Sequence, residues 1–165
     1  VKIYLDMDGV LTDFDKRYSE LFGERPTDVQ RRAKHFWSNW ETFIKGSNFS
    51  TLDKHKDADK LLQFVDELQV PVEILSSSGG KEFHAEVTSQ KIEWLCNNSI
   101  PYKANIVPGG SKKAELAHPW HILIDDTEHV VEKYRTAGGT AILHYDIDVT
   151  LKELSRLHLE WQGGE

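Results

Sequence analysis

The chain has 165 residues, a formal net charge of −7 and 39% hydrophobic residues, which is one domain's worth of sequence with room for a modest insertion. Its acidic balance excludes a broad basic face that would follow a nucleic-acid backbone, so the expected partner is a small molecule and not an extended nucleic acid. A lone cysteine, Cys96, excludes an internal disulfide; no apolar run reaches the ~20 residues that span a bilayer, and no signal-type leader is seen, so the expectation is a cytoplasmic protein with no membrane partner.

The first predicted element is a strand. Val1, Ile3, Tyr4 and Leu5 form a short β-branched and aromatic run that breaks off into Asp6-Met7-Asp8-Gly9, two carboxylates followed by a glycine that lets the backbone turn. Carboxylates crowded at one strand end repel each other unless a cation or a shared proton relieves them. Phe14, Tyr18, Leu21 and Phe22 then fall at helical spacing over residues 12–25, and Pro26-Thr27 reads as a helix start with Thr27 as its cap. Residues 28–49 combine bases (Arg31, Arg32, Lys34, His35) with Phe36, Trp37, Trp40, Phe43 and Phe49. These rings either pack the segment onto the main body or form a lid that stacks on a flat substrate group.

Ala58, Leu61, Leu62, Val65 and Leu68 make one apolar face of a helix over residues 57–68. A strand at Val72-Glu73-Ile74-Leu75 ends in Ser76-Ser77-Ser78-Gly79-Gly80. A helix over residues 82–97 follows, with Phe83, Val87, Lys91, Trp94 and Leu95 as landmarks and Cys96 in a packing role. Residues 100–107 hold a short strand, Ser111 caps a short helix to Ala117 that carries Lys112-Lys113, and the strand His121-Ile122-Leu123-Ile124 ends in Asp125-Asp126. After a helix to about Ala137, Thr140 to Leu143 form the last strand; Thr150 and Glu153 read as a capping box for the final helix, and Asp146-Ile147-Asp148 as solvated loop.

Strands alternating with helices predict an α/β fold: a three-layer, Rossmann-like parallel sheet covered on both faces. In such sheets ligands bind outside the carboxyl ends of the strands. Asp6 and Asp8, Ser76 and Ser77, Asp125 and Asp126, and the lysine pair therefore converge on one crevice.

Residues Asp6-Met7-Asp8-Gly9-Val10-Leu11 resemble the first motif of the haloacid dehalogenase (HAD) superfamily, Ile74-Leu75-Ser76 the second, Lys112 or Lys113 the third, and Ile122-Leu123-Ile124-Asp125-Asp126 the acidic fourth. Their order and spacing further resemble the 5′(3′)-deoxyribonucleotidase-like branch. The resemblance implies a HAD-like core over residues 1–13 and 57–165, with a small α-helical cap, residues 14–56, inserted after the first strand.

It also implies a Mg²⁺-dependent phosphomonoester hydrolase. Asp6 would attack phosphorus to give an aspartyl-phosphate, while Asp8 would protonate the leaving oxygen and then deprotonate water. Mg²⁺ would lie among Asp6, the Asp8 carbonyl and Asp125, with Asp126 as a further ligand or a partner that holds one. Ser76, Ser77 and a lysine would bind the phosphate, Lys113 being preferred to Lys112 because Leu116 and Ala117 place it on the core-side edge. Phe36, Trp37 and Trp40 in the cap point to a nucleoside (deoxy)monophosphate as substrate. Sugar phosphates, polynucleotide 3′-phosphate ends and a non-catalytic binding role are the competing readings. A small-capped core also leaves room for a homodimer partner to complete the lid.

Overall fold

The computed structural model describes residues 1–26 and 34–163. Among these, β1 (Lys2–Leu5), β2 (Val72–Ser77), β3 (Ala104–Val107), β4 (His121–Asp125) and β5 (Thr140–Leu143) form one parallel sheet in the order β3-β2-β1-β4-β5. The chain runs outward from β1 through β2 to β3, then crosses to β4 on the opposite side of β1. That reversal opens a crevice beyond the carboxyl ends of β1 and β4, the usual ligand position in open α/β sheets.

The two-residue period of the strands sorts the core into two layers. Ile3, Leu5, Ile74, Ile122, Ile124 and Ile142 face one way. They pack against α3 (Ala58–Glu67), α4 (His84–Asn97) and α6 (Ile147–Gly163) through Leu61, Val65, Val87, Trp94, Leu154 and Leu157. Tyr4, Leu75, Leu123 and Ala141 face the other way, onto Val130, Val131 and Tyr134 of α5 (Glu128–Thr136). The expected three-layer α/β architecture is present.

Helices α1 (Phe14–Phe22) and α2 (Lys34–Lys45), with a 3-10 turn at Asn48–Thr51, lie against the carboxyl-end side. Their rings pack on one another: Phe14 meets Phe43 at 5.0 Å and Phe49 at 5.8 Å, and Tyr18 meets Phe36 at 5.9 Å. Such contacts contribute about 0.5–1.5 kcal/mol each beyond their buried area. The segment is tied to α4, where the Gln90 side chain accepts from the Phe49 N–H (3.2 Å) and donates to the Ile44 carbonyl (2.8 Å), and the Trp94 indole donates to the Leu52 carbonyl (2.7 Å). The cap expected at Thr27 and the bases Arg31 and Arg32 lie outside the described residues.

Local expectations need three corrections. α6 starts a turn earlier than the Thr150–Glu153 spacing implies, because Ile147 is buried and Asp146, expected in solvated loop, accepts a hydrogen bond from the Val149 N–H (3.1 Å) as a cap. Thr150 is buried instead and its hydroxyl meets His144 Nδ1 at 2.7 Å. Cys96 does not pack: it falls on the outer side of α4 and is exposed. The lysine pair sits on a 3-10 helix, Gly110–Leu116, with no side-chain cap from Ser111. No helix among the described residues is long and apolar enough to cross a membrane.

Candidate active site

Asp6 directly follows β1 and stays in register with β4, its N–H donating to the Ile124 carbonyl (3.0 Å). The turn after it is tight. Val10, Leu11 and Thr12 all donate N–H groups to the Met7 carbonyl (2.7–3.1 Å), and Gly9 adopts a left-handed φ of 87°. A Cβ at Gly9 would fall 1.9 Å from an Asp126 carboxylate oxygen. Glycine there both turns the chain and lets the second acidic strand end close over the first.

Ligand oxygens of Asp6, Asp125 and Asp126 all lie within 4.8 Å of one another. Asp6 and Asp125 are buried, and Lys113 is buried between them, its Nζ donating to Asp6 Oδ1 (2.8 Å) and Asp125 Oδ2 (2.7 Å). Asp125 is further fixed by the Thr127 N–H, which donates to its Oδ1 (2.9 Å). Lys112 turns outward to Glu115.

Three carboxylates thus face one ammonium, an excess of negative charge that shifts their proton affinities. Burial, reinforced by the Asp125 charge, pushes the Asp6 carboxyl well above its ordinary range. Desolvation over the cluster and the same Asp125 charge push Asp126 up to about 6. Burial works to lower the Lys113 ammonium, but the Asp6 and Asp125 charges overcome it and hold the group above its ordinary range. A compact set of hard carboxylate oxygens with surplus negative charge fits Mg²⁺ or a similar divalent ion.

Asp8 lies beyond the strand and is partly open. Its Oδ1 accepts from the Thr12 hydroxyl (2.8 Å) and its Oδ2 from Lys91 Nζ (2.9 Å). Ser76, buried at the end of β2, accepts from the same Lys91 (2.7 Å), and the Ser77 hydroxyl accepts from the Gly79 N–H (3.0 Å). Lys91 went unassigned by sequence reasoning. The signal was present: a lysine four residues after Val87 and three before Trp94 lies on the apolar stripe of its helix, where a charge requires a buried partner.

One cavity of about 180 Å³ has a polar floor that includes Asp6, Asp8, Ser76 and Lys113 and a wall that includes Phe14, Phe36 and Trp40. Trp37 stands at the rim, 48% exposed. Gly79, at φ 80°, lies under Trp40; a Cβ there would approach the indole to 2.4 Å. The loop after β2 and the aromatic helix therefore meet in direct contact at the cavity edge.

The parallel sheet, with acidic groups at the carboxyl ends of β1 and β4, is a fold shared with proteins of known structure. Solved structures with the same fold include a hydrolase from Streptococcus pneumoniae TIGR4 (13% identity, TM-score 0.54, covering 93% of this chain and 97% of that one). Others are a hydrolase from Pseudomonas syringae (15%, 0.52, 89% and 87%) and a HAD family hydrolase from Deinococcus radiodurans R1 with bound phosphate and sodium (14%, 0.53, 85% and 78%). A search of curated proteins finds no match. Over residues 1–165 the chain matches the family model described as 5′ nucleotidase, deoxy (pyrimidine), cytosolic type C protein. It belongs to that family of HAD-like phosphatases.

Proposed function

We propose that the protein hydrolyses nucleoside (deoxy)monophosphates in a Mg²⁺-dependent reaction through phosphorylation of Asp6. The observation that carries this reading is the shared cavity, with carboxylates and a buried lysine on one side and aromatic rings on the other. Its polar side suits a phosphate and its rings suit a flat base.

In this reading residues 14–56 act as the cap, and Asp6, Asp125 and Asp126, with the Asp8 carbonyl, would hold the metal ion. Bound there, Mg²⁺ would supply the positive charge that lets Asp6 remain ionised beside a phosphate dianion. Asp6 attacks phosphorus, and the bond to the leaving oxygen breaks as Asp8 gives that oxygen a proton. Asp8 then takes a proton from the water that attacks the phosphorylated Asp6, releasing phosphate and restoring the carboxylate. Ser76 donates its hydroxyl to a phosphate oxygen, the Ser77 N–H adds a second donor, and Lys113 offsets the charge that develops. Two of the three Lys113 ammonium hydrogens go to Asp6 and Asp125, which leaves one for the substrate.

The test is phosphate release with Mg²⁺ across ribo- and deoxyribonucleoside 5′- and 3′-monophosphates, sugar phosphates and a 3′-phosphorylated oligonucleotide. The reading predicts the highest kcat/KM on a nucleoside monophosphate. Activity confined to sugar phosphates or to the oligonucleotide would overturn the substrate assignment.

A further inference from the structure

We propose that Lys91 is a positioning residue of this site: its buried ammonium fixes the Ser76 hydroxyl as a phosphate donor and holds the Asp8 carboxyl group in place for its proton transfers. The proposal rests on the phosphatase reading above and adds to it a residue that touches neither substrate nor metal.

Lys91 is 1% exposed on α4. Its Nζ donates to Asp8 Oδ2 (2.9 Å), Ser76 Oγ (2.7 Å) and the Ser77 carbonyl (2.8 Å). An ammonium has three hydrogens and no acceptor, so these bonds use its full capacity and leave none for a phosphate. Lys91 therefore differs in kind from Lys113, which retains a donor.

Each bond has a directional consequence. A hydroxyl that accepts from Lys91 carries its own proton elsewhere, so Ser76 is committed as a donor to an incoming phosphate oxygen. Asp8 receives Lys91 on one oxygen and the Thr12 hydroxyl on the other, so its carboxylate is held from both sides. The Ser77 carbonyl anchors the same ammonium to the end of β2, joining the strand that presents Ser76 to the turn that presents Asp8.

The surroundings fix Lys91 in turn. The Phe49 ring lies 5.0 Å from Nζ, a cation–π contact from the aromatic segment. Gln90 and Trp94 bind that segment from either side of Lys91 on the same helix. One helix thus sets both the aromatic wall and the polarity of the phosphate site.

The test compares wild type, Lys91→Met, Ser76→Ala and the double variant, with Asp6→Asn as the control that judges the phosphatase reading itself. Methionine fills a similar volume without donors. With the fold intact by circular dichroism, Lys91→Met is expected to lower kcat about 10- to 100-fold and to weaken inhibition by inorganic phosphate about tenfold. In the Ser76→Ala background the same change should leave phosphate inhibition unaltered, because the hydroxyl that Lys91 orients is gone. An equal weakening of phosphate inhibition in both backgrounds, or wild-type kcat in Lys91→Met, would overturn the proposal while leaving the Asp6 reading in place.

A second measurement on the intact enzyme applies if Lys91→Met does not fold. The Lys91 ammonium should give a slowly exchanging ¹⁵N–¹H signal that changes in Ser76→Ala and survives added phosphate. A signal that exchanges rapidly with water, or that is insensitive to Ser76→Ala, refutes the assigned contacts.

Discussion

Replacing Asp126 by Asn should stabilise the metal-free protein at neutral pH. The Asp126 carboxyl stands at about 6 instead of the ordinary 3.8, raised by desolvation and by Asp125. Folding therefore favours its protonated form. The penalty is absent below the unfolded value, grows as pH rises between the two values, and is complete above about 6. Fully buried, such a displacement would cost about 3 kcal/mol. Its side chain is exposed, and solvent screening reduces the figure to about 1–2 kcal/mol.

Asn keeps the shape and can donate to a neighbouring carboxylate. For a domain of this size the gain corresponds to about 3–6 °C in Tm. The assay is thermal unfolding of wild type and Asp126→Asn in a chelating buffer from pH 4 to pH 8. The variant should gain above pH 6 and match wild type near pH 4. Added Mg²⁺ should then raise the wild-type Tm more than that of the variant, since binding to the folded state alone stabilises by about 2.7 kcal/mol at a hundred times Kd. Unchanged or lower stability of Asp126→Asn at pH 8 without divalent ions would refute the account of a charge-crowded cluster.

Other outcomes follow from the same geometry. Trp37 is half-exposed at the cavity rim, so Trp37→Ala should leave Tm within about 2 °C; it should raise KM for a nucleoside monophosphate about tenfold, through lost base stacking, and for a small aryl phosphate less. Equal losses on both substrates would assign the ring to packing alone. Gly79→Ala combines a positive φ with a 2.4 Å approach to Trp40, so it should destabilise by about 1–3 kcal/mol and lower nucleotide affinity, measured by denaturant titration and by KM. Wild-type values for both would show that the loop and indole separate easily.

The architecture was readable because its signals are local and repeated. Ile3, Leu5, Ile122 and Ile124 alternate or run together as parallel strands require, and such strands put their carboxyl ends on one edge. Asp6, Ser76 and Asp125 therefore fall in one crevice by strand order alone. The helix preference for Lys113 over Lys112 rested on apolar neighbours three and four residues ahead, and Lys113 is the lysine that reaches the acidic pair. Lys91 was hidden by the same periodic logic, which treats a position on an apolar stripe as core without asking what a charge there would meet. The start of α6 was misread because Thr150 and Glu153 have capping spacing, while burial of Ile147 and the Asp146 cap extend the helix by a turn. Its hydroxyl partner, His144, comes from outside the helix and has no local signature.

The central claim is that Asp6 carries the phosphoryl group during turnover. The most direct measurement is an acid quench during nucleoside monophosphate hydrolysis with Mg²⁺, followed by mass spectrometry of the tryptic peptide spanning residues 3–16. The account predicts one added phosphoryl group on Asp6 in wild type, and neither adduct nor turnover in Asp6→Asn. Sustained hydrolysis by Asp6→Asn, or an adduct on a different residue, would contradict it.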